Sequence, residues 1–200
     1  NRETAGRVCD VADGFVVGSA LGSVIDCSFI AKAEVESWPV FGWLAKQQRT
    51  LFVERRARRA ADHRDRLKEL FEQGESLVLF PEGTSSDGSR VLPFRSSLFD
   101  AASVELAGEQ VAVQPVSIAY TRFDGMPMER WMRPFFAWYG DMEFGPHLWH
   151  WLGLGRIGVD LVFHEPVRLR DHGTRKALAQ HCQAQVARGV ELALAGRVTD

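Results

Sequence analysis

The sequence has little with which to cross-link itself or hold a metal. Its three cysteines, Cys9, Cys27 and Cys182, are widely spaced and form no CxxC pair. Neither a disulfide framework nor a thiolate cluster is expected, and thiols in a reducing compartment are. His147 and His150 stand three apart, but no third ligand follows at motif spacing, so no metal is expected. Long hydrophobic runs are also missing. The longest, Gly14 to Ile25, is punctuated by glycine and falls short of the roughly 20 apolar residues a spanning helix needs. The polar start Asn1-Arg2-Glu3-Thr4 does not read as a signal peptide, and an anchor ahead of Asn1 stays open. Charge of one sign is not in surplus: 24 Lys and Arg face 26 Asp and Glu, for a net −2. That balance argues against a general nucleic-acid binder. There is no G-x-x-x-x-G-K-[ST] run, which argues against a P-loop nucleotidase. Gly83-Thr84-Ser85-Ser86-Asp87 lacks the last glycine of G-x-S-x-G, which argues against a serine hydrolase.

What is present suits a folded core. Apolar residues make up 46% of the 200 and charged residues 25%, ordinary values for a globular chain. No repeat, low-complexity tract or linker divides the sequence, so one domain over residues 1–200 is expected. Short apolar segments alternate in type. Phe15 to Leu21 and Trp38 to Leu44 read as short apolar helices or turns, and Phe29 to Ala31 and Thr50 to Val53 as strands. A helix is expected over Ala57 to Gln73, stopped by Gly74, with Leu67, Leu70 and Phe71 on its apolar face. Leu77 to Phe80 is a continuous apolar strand, the pattern of a strand covered on both faces. Ser96 to Leu106 reads as a helix, and Val111 to Ile118 as a buried strand ending near Pro115. Met126 to Gly155 looks irregular and aromatic, and Val159 to Phe163 alternates like a strand. Thr174 to Leu194 reads as a helix with Leu178, Val186, Val190 and Leu194 inward. The alternation predicts an α/β layered domain with a mostly parallel central sheet flanked by helices.

Three segments carry candidate chemistry. In Leu77 to Ser97, a buried strand meets Pro81, which ends its ladder. Glu82 then stands at the carboxyl end of a strand, where open α/β sheets place ligands. Gly83 permits a turn, Thr84 offers a hydroxyl, and Arg95 precedes a helix start, together a plausible anion cradle. The plainer alternative is a polar strand-to-helix loop. In Leu51 to Arg56, Arg55 and Arg56 follow a strand end, where a guanidinium fork suits phosphate. The basic run on to Lys68 is either a solvated helix face or a surface toward anionic lipid. Trp131 to Trp151 is rich in tryptophan and phenylalanine, which suits a membrane interface, an acyl pocket or ordinary core.

Phe80-Pro81-Glu82-Gly83-Thr84 followed by SDGSRVLPFRSSLF resembles the third conserved block of the lysophosphatidate (1-acyl-glycerol-3-phosphate) acyltransferase family. TLFVERR resembles the second block, FIAKAEVESWPVFGWLAKQQRTLFV the stretch leading into it, and VAVQPVSIAY the fourth. The match spans about residues 13 to 120, in order and at the right spacing. The later AWYGDMEF and PHLWHWLGLG segments are similar to a bacterial branch that includes lyso-ornithine-lipid acyltransferases. The resemblance implies acyl transfer from an acyl-CoA or acyl-carrier-protein thioester to the free hydroxyl of a lysophospholipid in phospholipid biosynthesis. It implies that Arg55 holds the acceptor phosphate, with Glu82, Gly83, Thr84 and Arg95 shaping the same site. It implies no cofactor beyond the acyl-CoA or acyl-ACP co-substrate. The implied location is the cytoplasmic face of a bacterial inner membrane, held peripherally or by an anchor outside this chain.

One position departs from the family pattern. The first block carries His-x4-Asp, His as base and Asp as its orienting partner. Asp13 aligns with that Asp, but Val8 stands five residues earlier, and no histidine precedes His63. Three readings stay open: an altered or incomplete amino end, a lysolipid- or membrane-binding protein without catalysis, or a shifted alignment.

Overall fold

The structure, a computed structural model, describes residues 7–11, 28–32 and 51–53 as backbone, and 67–84, 86–137 and 155–197 in full. The expected segments Phe15 to Leu21 and Trp38 to Leu44, and the start of the Ala57 helix, lie outside the described residues.

Short apolar segments in the amino-terminal half become parallel strands. They are β1 (Arg7–Val11), β2 (Ser28–Lys32), β3 (Leu51–Val53) and β4 (Leu77–Leu79). A small antiparallel ribbon, β5 (Glu105–Leu106) with β6 (Glu109–Gln110), precedes the longest strand, β7 (Ala112–Phe123). Then follow β8 (Met126–Pro127) and β9 (Ile157–Phe163). The main sheet runs β3-β2-β4-β1-β7, with β8 and β9 both paired to β7. Among the described strands of this sheet, pairs β3/β2, β2/β4, β4/β1 and β1/β7 are parallel, and β8 and β9 pair antiparallel with β7. The chain is thus an α/β domain with a mostly parallel sheet. Leu77, Val78 and Leu79 are all buried although neighbours point to opposite faces, so both faces of β4 are covered.

The helices form where the pattern places them. Residues 67–72 are helical, and Gly74 at φ +80° ends the helix. The Glu75 N–H donates to Leu70 O and the Gly74 N–H to Phe71 O, the paired bonds of a Schellman cap. The long helix Arg175–Leu194 starts on Thr174, whose hydroxyl accepts the Ala177 N–H at 3.1 Å. Leu178, Ala179 and Cys182 of this helix join Leu67, Phe71, Leu77, Leu79, Phe99 and Val113 in the main core.

Two expectations are corrected. The helix expected over Ser96 to Leu106 is present but shorter. It is a 3-10 helix, Ser96–Ser103, kinked at Phe99, and Leu106 belongs to the β5–β6 ribbon. Phe99, Ala101 and Ala102 are the buried residues of this helix. Nor does the strand end near Pro115; β7 continues to Phe123. Proline removes one ladder donor. The His164 N–H still donates to Pro115 O at 2.9 Å, and the Gln114 side-chain amide donates to His164 O at 3.1 Å. Gln114 thereby supplies the bond that the missing proline N–H would have made. The segment read as irregular also carries β8 and a short helix, Arg133–Phe136.

A polar node fixes the long helix to the sheet. The Ser117 hydroxyl donates to Val186 O at 2.8 Å and lies 2.7 Å from His164 Nε2. A carbonyl only accepts, so the hydroxyl proton is committed to the helix and Nε2 is the donor toward Ser117. This serine is a structural bridge, not an activated nucleophile. Gly189 makes the approach possible: a Cβ there would land against Ser117 Oγ and 2.7 Å from His164 Nε2. Burial lowers the His164 pKa below the ordinary value of about 6.5. The unfolded chain therefore takes up this proton first as pH falls. The His164 contribution is complete above about 6.5 and declines below it. His181, lowered by burial and then by His172, acts in the same direction. Thermal melts should show Tm steady at about pH 7.5 and falling toward about pH 5.5, roughly one unit above and below the ordinary histidine value. His164→Gln should give a shallower fall; an unchanged slope would remove His164 from this role.

Candidate active site

The candidate site grows from the carboxyl edge of the parallel strands. Register fixes which chain exits share that edge. Asp10 pairs with Leu79 across β1 and β4, and Lys32 with Val53 across β2 and β3. The chain leaving β1 leads to Asp13, that leaving β3 to Arg55, and that leaving β4 to Glu82. All three strands are parallel, so all three exits lie on one edge. The β3 exit is two strands from β4, about 10 Å at ordinary strand spacing. Asp13 and Arg55 themselves lie outside the described residues. Val8 stands inside β1, with Leu77 and Val113 as its Cα partners. A histidine at that position would stand near the amino end of the strand rather than at its carboxyl end.

The loop after β4 is a closed structure. The Gly83 N–H donates to Phe80 O at 3.1 Å, turning the chain, and the Arg95 N–H donates to Pro81 O at 2.8 Å, joining the loop's two ends. Glu82 is 2% exposed, and its Oε1 accepts the Leu92 N–H at 2.8 Å. Ser86 Oγ accepts the Gly88 N–H and Asp87 Oδ1 the Ser89 N–H. The Phe94 N–H donates to Gln183 Oε1 at 3.2 Å, tying the loop to the long helix. The loop's far side reaches the stretch of β7 beyond its last pairing with β1. There a Cβ on Gly88 would lie 3.3 Å from the Tyr120 ring.

Glu82, Gly83 and Arg95 are therefore brought together, as the spacing suggested. Gly83 takes φ +68°, and a Cβ there would sit 3.3 Å from Arg95 Cδ and Nε. The glycine is needed both for the turn and for the arginine lying over it. The cradle differs in one respect from the expectation of free backbone donors. The N–H groups of Gly83, Gly88, Ser89, Leu92 and Arg95 are engaged within the loop. Thr84, Arg90 and Arg95 are the exposed polar residues of the described loop. Glu82 works as the acceptor that holds the loop. Sequence reasoning did not single out Asp87, Arg130 or Arg133, which line an open cleft of about 690 Å³ beside the loop. No spacing motif marks them, because Asp87 meets Arg130 and Arg133 only through the fold.

A model of the family described as Acyltransferase matches residues 10–119, a span that contains Asp13, Arg55, Glu82, Gly83, Thr84 and Arg95. The chain belongs to the acyltransferase family. It is 49% identical over 186 residues to a lyso-ornithine lipid O-acyltransferase of Brucella abortus, covering 91% of this chain and 68% of that protein. To the enzyme of the same name from Rhizobium meliloti it is 41% identical over 181 residues, covering 88% and 62%. A 1-acyl-sn-glycerol-3-phosphate acyltransferase of Neisseria gonorrhoeae is 30% identical over 145 residues, covering 72% and 53%. The chain thus spans about half to two thirds of the length of these relatives. Among solved structures it is similar to the 1-acyl-sn-glycerophosphate (LPA) acyltransferase PlsC of Thermotoga maritima. The TM-score is 0.61 at 24% identity, covering 100% of this chain and 70% of that one, a likeness of fold.

The loop's dependence on Glu82 is testable. Glu82→Ala leaves the Leu92 N–H without its acceptor and should destabilise the protein by about 1–3 kcal/mol in denaturant unfolding. Glu82→Gln keeps an acceptor oxygen and should recover most of that loss. Equal loss in both variants would show that the charge, not the acceptor, holds the loop.

Proposed function

We propose that this chain transfers a fatty acyl group from an acyl-CoA or acyl-ACP thioester to the free hydroxyl of a lysolipid. Lyso-ornithine lipid and 1-acyl-glycerol-3-phosphate are the acceptors that the names of its relatives suggest. The observation that carries the reading is the closed Pro81–Arg95 loop at the edge where the Asp13 and Arg55 chains also exit. In the reaction the acceptor oxygen attacks the thioester carbonyl and the C–S bond breaks. The hydroxyl proton passes through a general base to the departing thiolate. Donors around the carbonyl oxygen stabilise the charge that develops there. Asp13 takes the position that orients the base, Arg55 grips an acidic headgroup, and Arg95 and Thr84 face the acceptor from the loop. The base itself is not assigned to any residue. Val8 replaces the expected histidine, and this favours a second reading in which the chain binds lysolipid without turning it over.

The assay is acyl transfer by purified, folded protein with each lysolipid and each thioester donor. Arg55→Ala should raise KM for the phosphate-bearing acceptor about tenfold or more, as loss of a charge-assisted fork does. Binding without transfer would favour the second reading. Absence of both would sink the proposal.

The reading also includes a membrane surface, on the cytoplasmic side of a bacterial inner membrane. No helix among the described residues is long and apolar enough to cross a bilayer. Met126, Trp131 and Phe135 are 71%, 64% and 55% exposed, and the Trp131 and Phe135 rings meet edge-on at 6.2 Å. Such a ridge suits the interfacial zone of a bilayer. The double change Trp131→Ala, Phe135→Ala should weaken sedimentation with equimolar phosphatidylglycerol and phosphatidylcholine vesicles about tenfold. Unchanged partitioning would move the contact elsewhere.

A further inference from the structure

The cleft between the loop after β4 and the segment after β8 has a charge pattern that a phosphate site would not need. Asp87 and Glu129 contribute negative charge, and Arg130 and Arg133 positive charge. Trp131 forms one wall, held by its indole N–H, which donates to Glu129 Oε2 at 2.6 Å. Arg133 is 8% exposed yet little used by the protein. Its Nη2 donates to Met128 O at a long 3.4 Å, and its Nε has no hydrogen-bond partner among the described residues. A guanidinium this buried ordinarily has its donors satisfied, and leaving them unmet is unfavourable. Asp87 lies near enough to act on Arg133 through space, but the two form no ion pair within 4.0 Å. The space between them is open to a ligand that carries both signs of charge. A dianionic phosphate would meet repulsion from Asp87 and Glu129 along with attraction from the arginines. An amino-acid headgroup would satisfy both.

We propose that this cleft binds the zwitterionic headgroup of an ornithine-type lysolipid, Arg133 taking its carboxylate and Asp87 its ammonium. Ornithine acylated on its α-amine keeps an α-carboxylate and a side-chain ammonium, one group for each residue. Asp87 belongs to the same loop as Glu82 and Gly83, and the next residue, Gly88, packs on the Tyr120 ring of β7, beyond the last pair of that strand with β1. A lipid headgroup seated there leaves its acyl portion free to reach the shared strand edge. The inference rests on the lysolipid acyltransfer reading and refines its acceptor.

The test separates the two. The full chain is titrated with Nα-butyryl-ornithine, with the corresponding ornithinamide, which lacks the carboxylate, and with glycerol 3-phosphate. The Arg133 Nε–H resonance, assigned by its loss in Arg133→Lys, reports occupancy of the cleft whether or not the protein is active. Only the zwitterion should shift it saturably. Asp87→Asn keeps the oxygen that accepts the Ser89 N–H while removing the charge. It should leave the fold intact and raise Kd for the zwitterion about tenfold or more. In the acyl-transfer assay the same variant should raise KM for lyso-ornithine lipid relative to that for lysophosphatidate. An unmoved resonance, equal binding by Asp87→Asn, or an equal response to glycerol 3-phosphate would each overturn the proposal. Zwitterion binding without acyl transfer would support the cleft and count against the activity.

Discussion

A carboxylate buried to the depth of Glu82 is unfavourable unless something hydrogen-bonds it, and much of the candidate site follows from how that demand is met. The Leu92 N–H reaches back ten residues to Oε1 and folds the loop over the end of β4. The Arg95 N–H closes the ends on Pro81. With both ends held, Arg95 is set over Gly83, and Asp87 and Gly88 are carried across to the extension of β7. Replacing the glutamate would leave the turn at Gly83 and the closure at Arg95 with their backbone bonds but free the Leu92 stretch between them.

That dependence explains why the first part of the site was legible and the second was not. A buried apolar strand running into Pro-Glu-Gly implies a turn at a strand end, because proline stops the ladder and glycine tolerates the turn. Parallel strands then place the Asp13, Arg55 and Glu82 exits on one edge by topology alone. Local spacing carries all of this. The Arg133 cleft is different. Its two sides, Asp87 and Glu129 to Arg133, are joined only because β7 runs on past β1 and turns back through β8. The length of β7 was the feature most easily misjudged, since proline ordinarily marks the end of an inner strand. The Gln114 amide in place of the missing N–H is a tertiary remedy that no local pattern announces. The 3-10 helix after Arg95 is similar: a helix was legible, but its tighter winding and its end at Ser103 were not marked by any local pattern.

Position 8 is subject to the same constraint of strand topology. In a parallel sheet, catalytic side chains gather where strands end, because side chains within the sheet are spent on covering its faces. Val8 pairs on one side with Leu77 and on the other with Val113, both fully buried. A base restored there would have to be ionisable and accessible at a register level whose neighbours are apolar core. The absence of a histidine and the place of Val8 in the strand therefore point the same way. Asp13, Arg55 and Glu82 follow one another in the order of the family's blocks, while β1 itself contains no histidine. A chain can keep its acceptor site without keeping the proton transfer, because the two depend on different residues. The loop and the cleft owe their shape to Glu82, Gly83 and the overhang of β7, and none of these requires a base in β1.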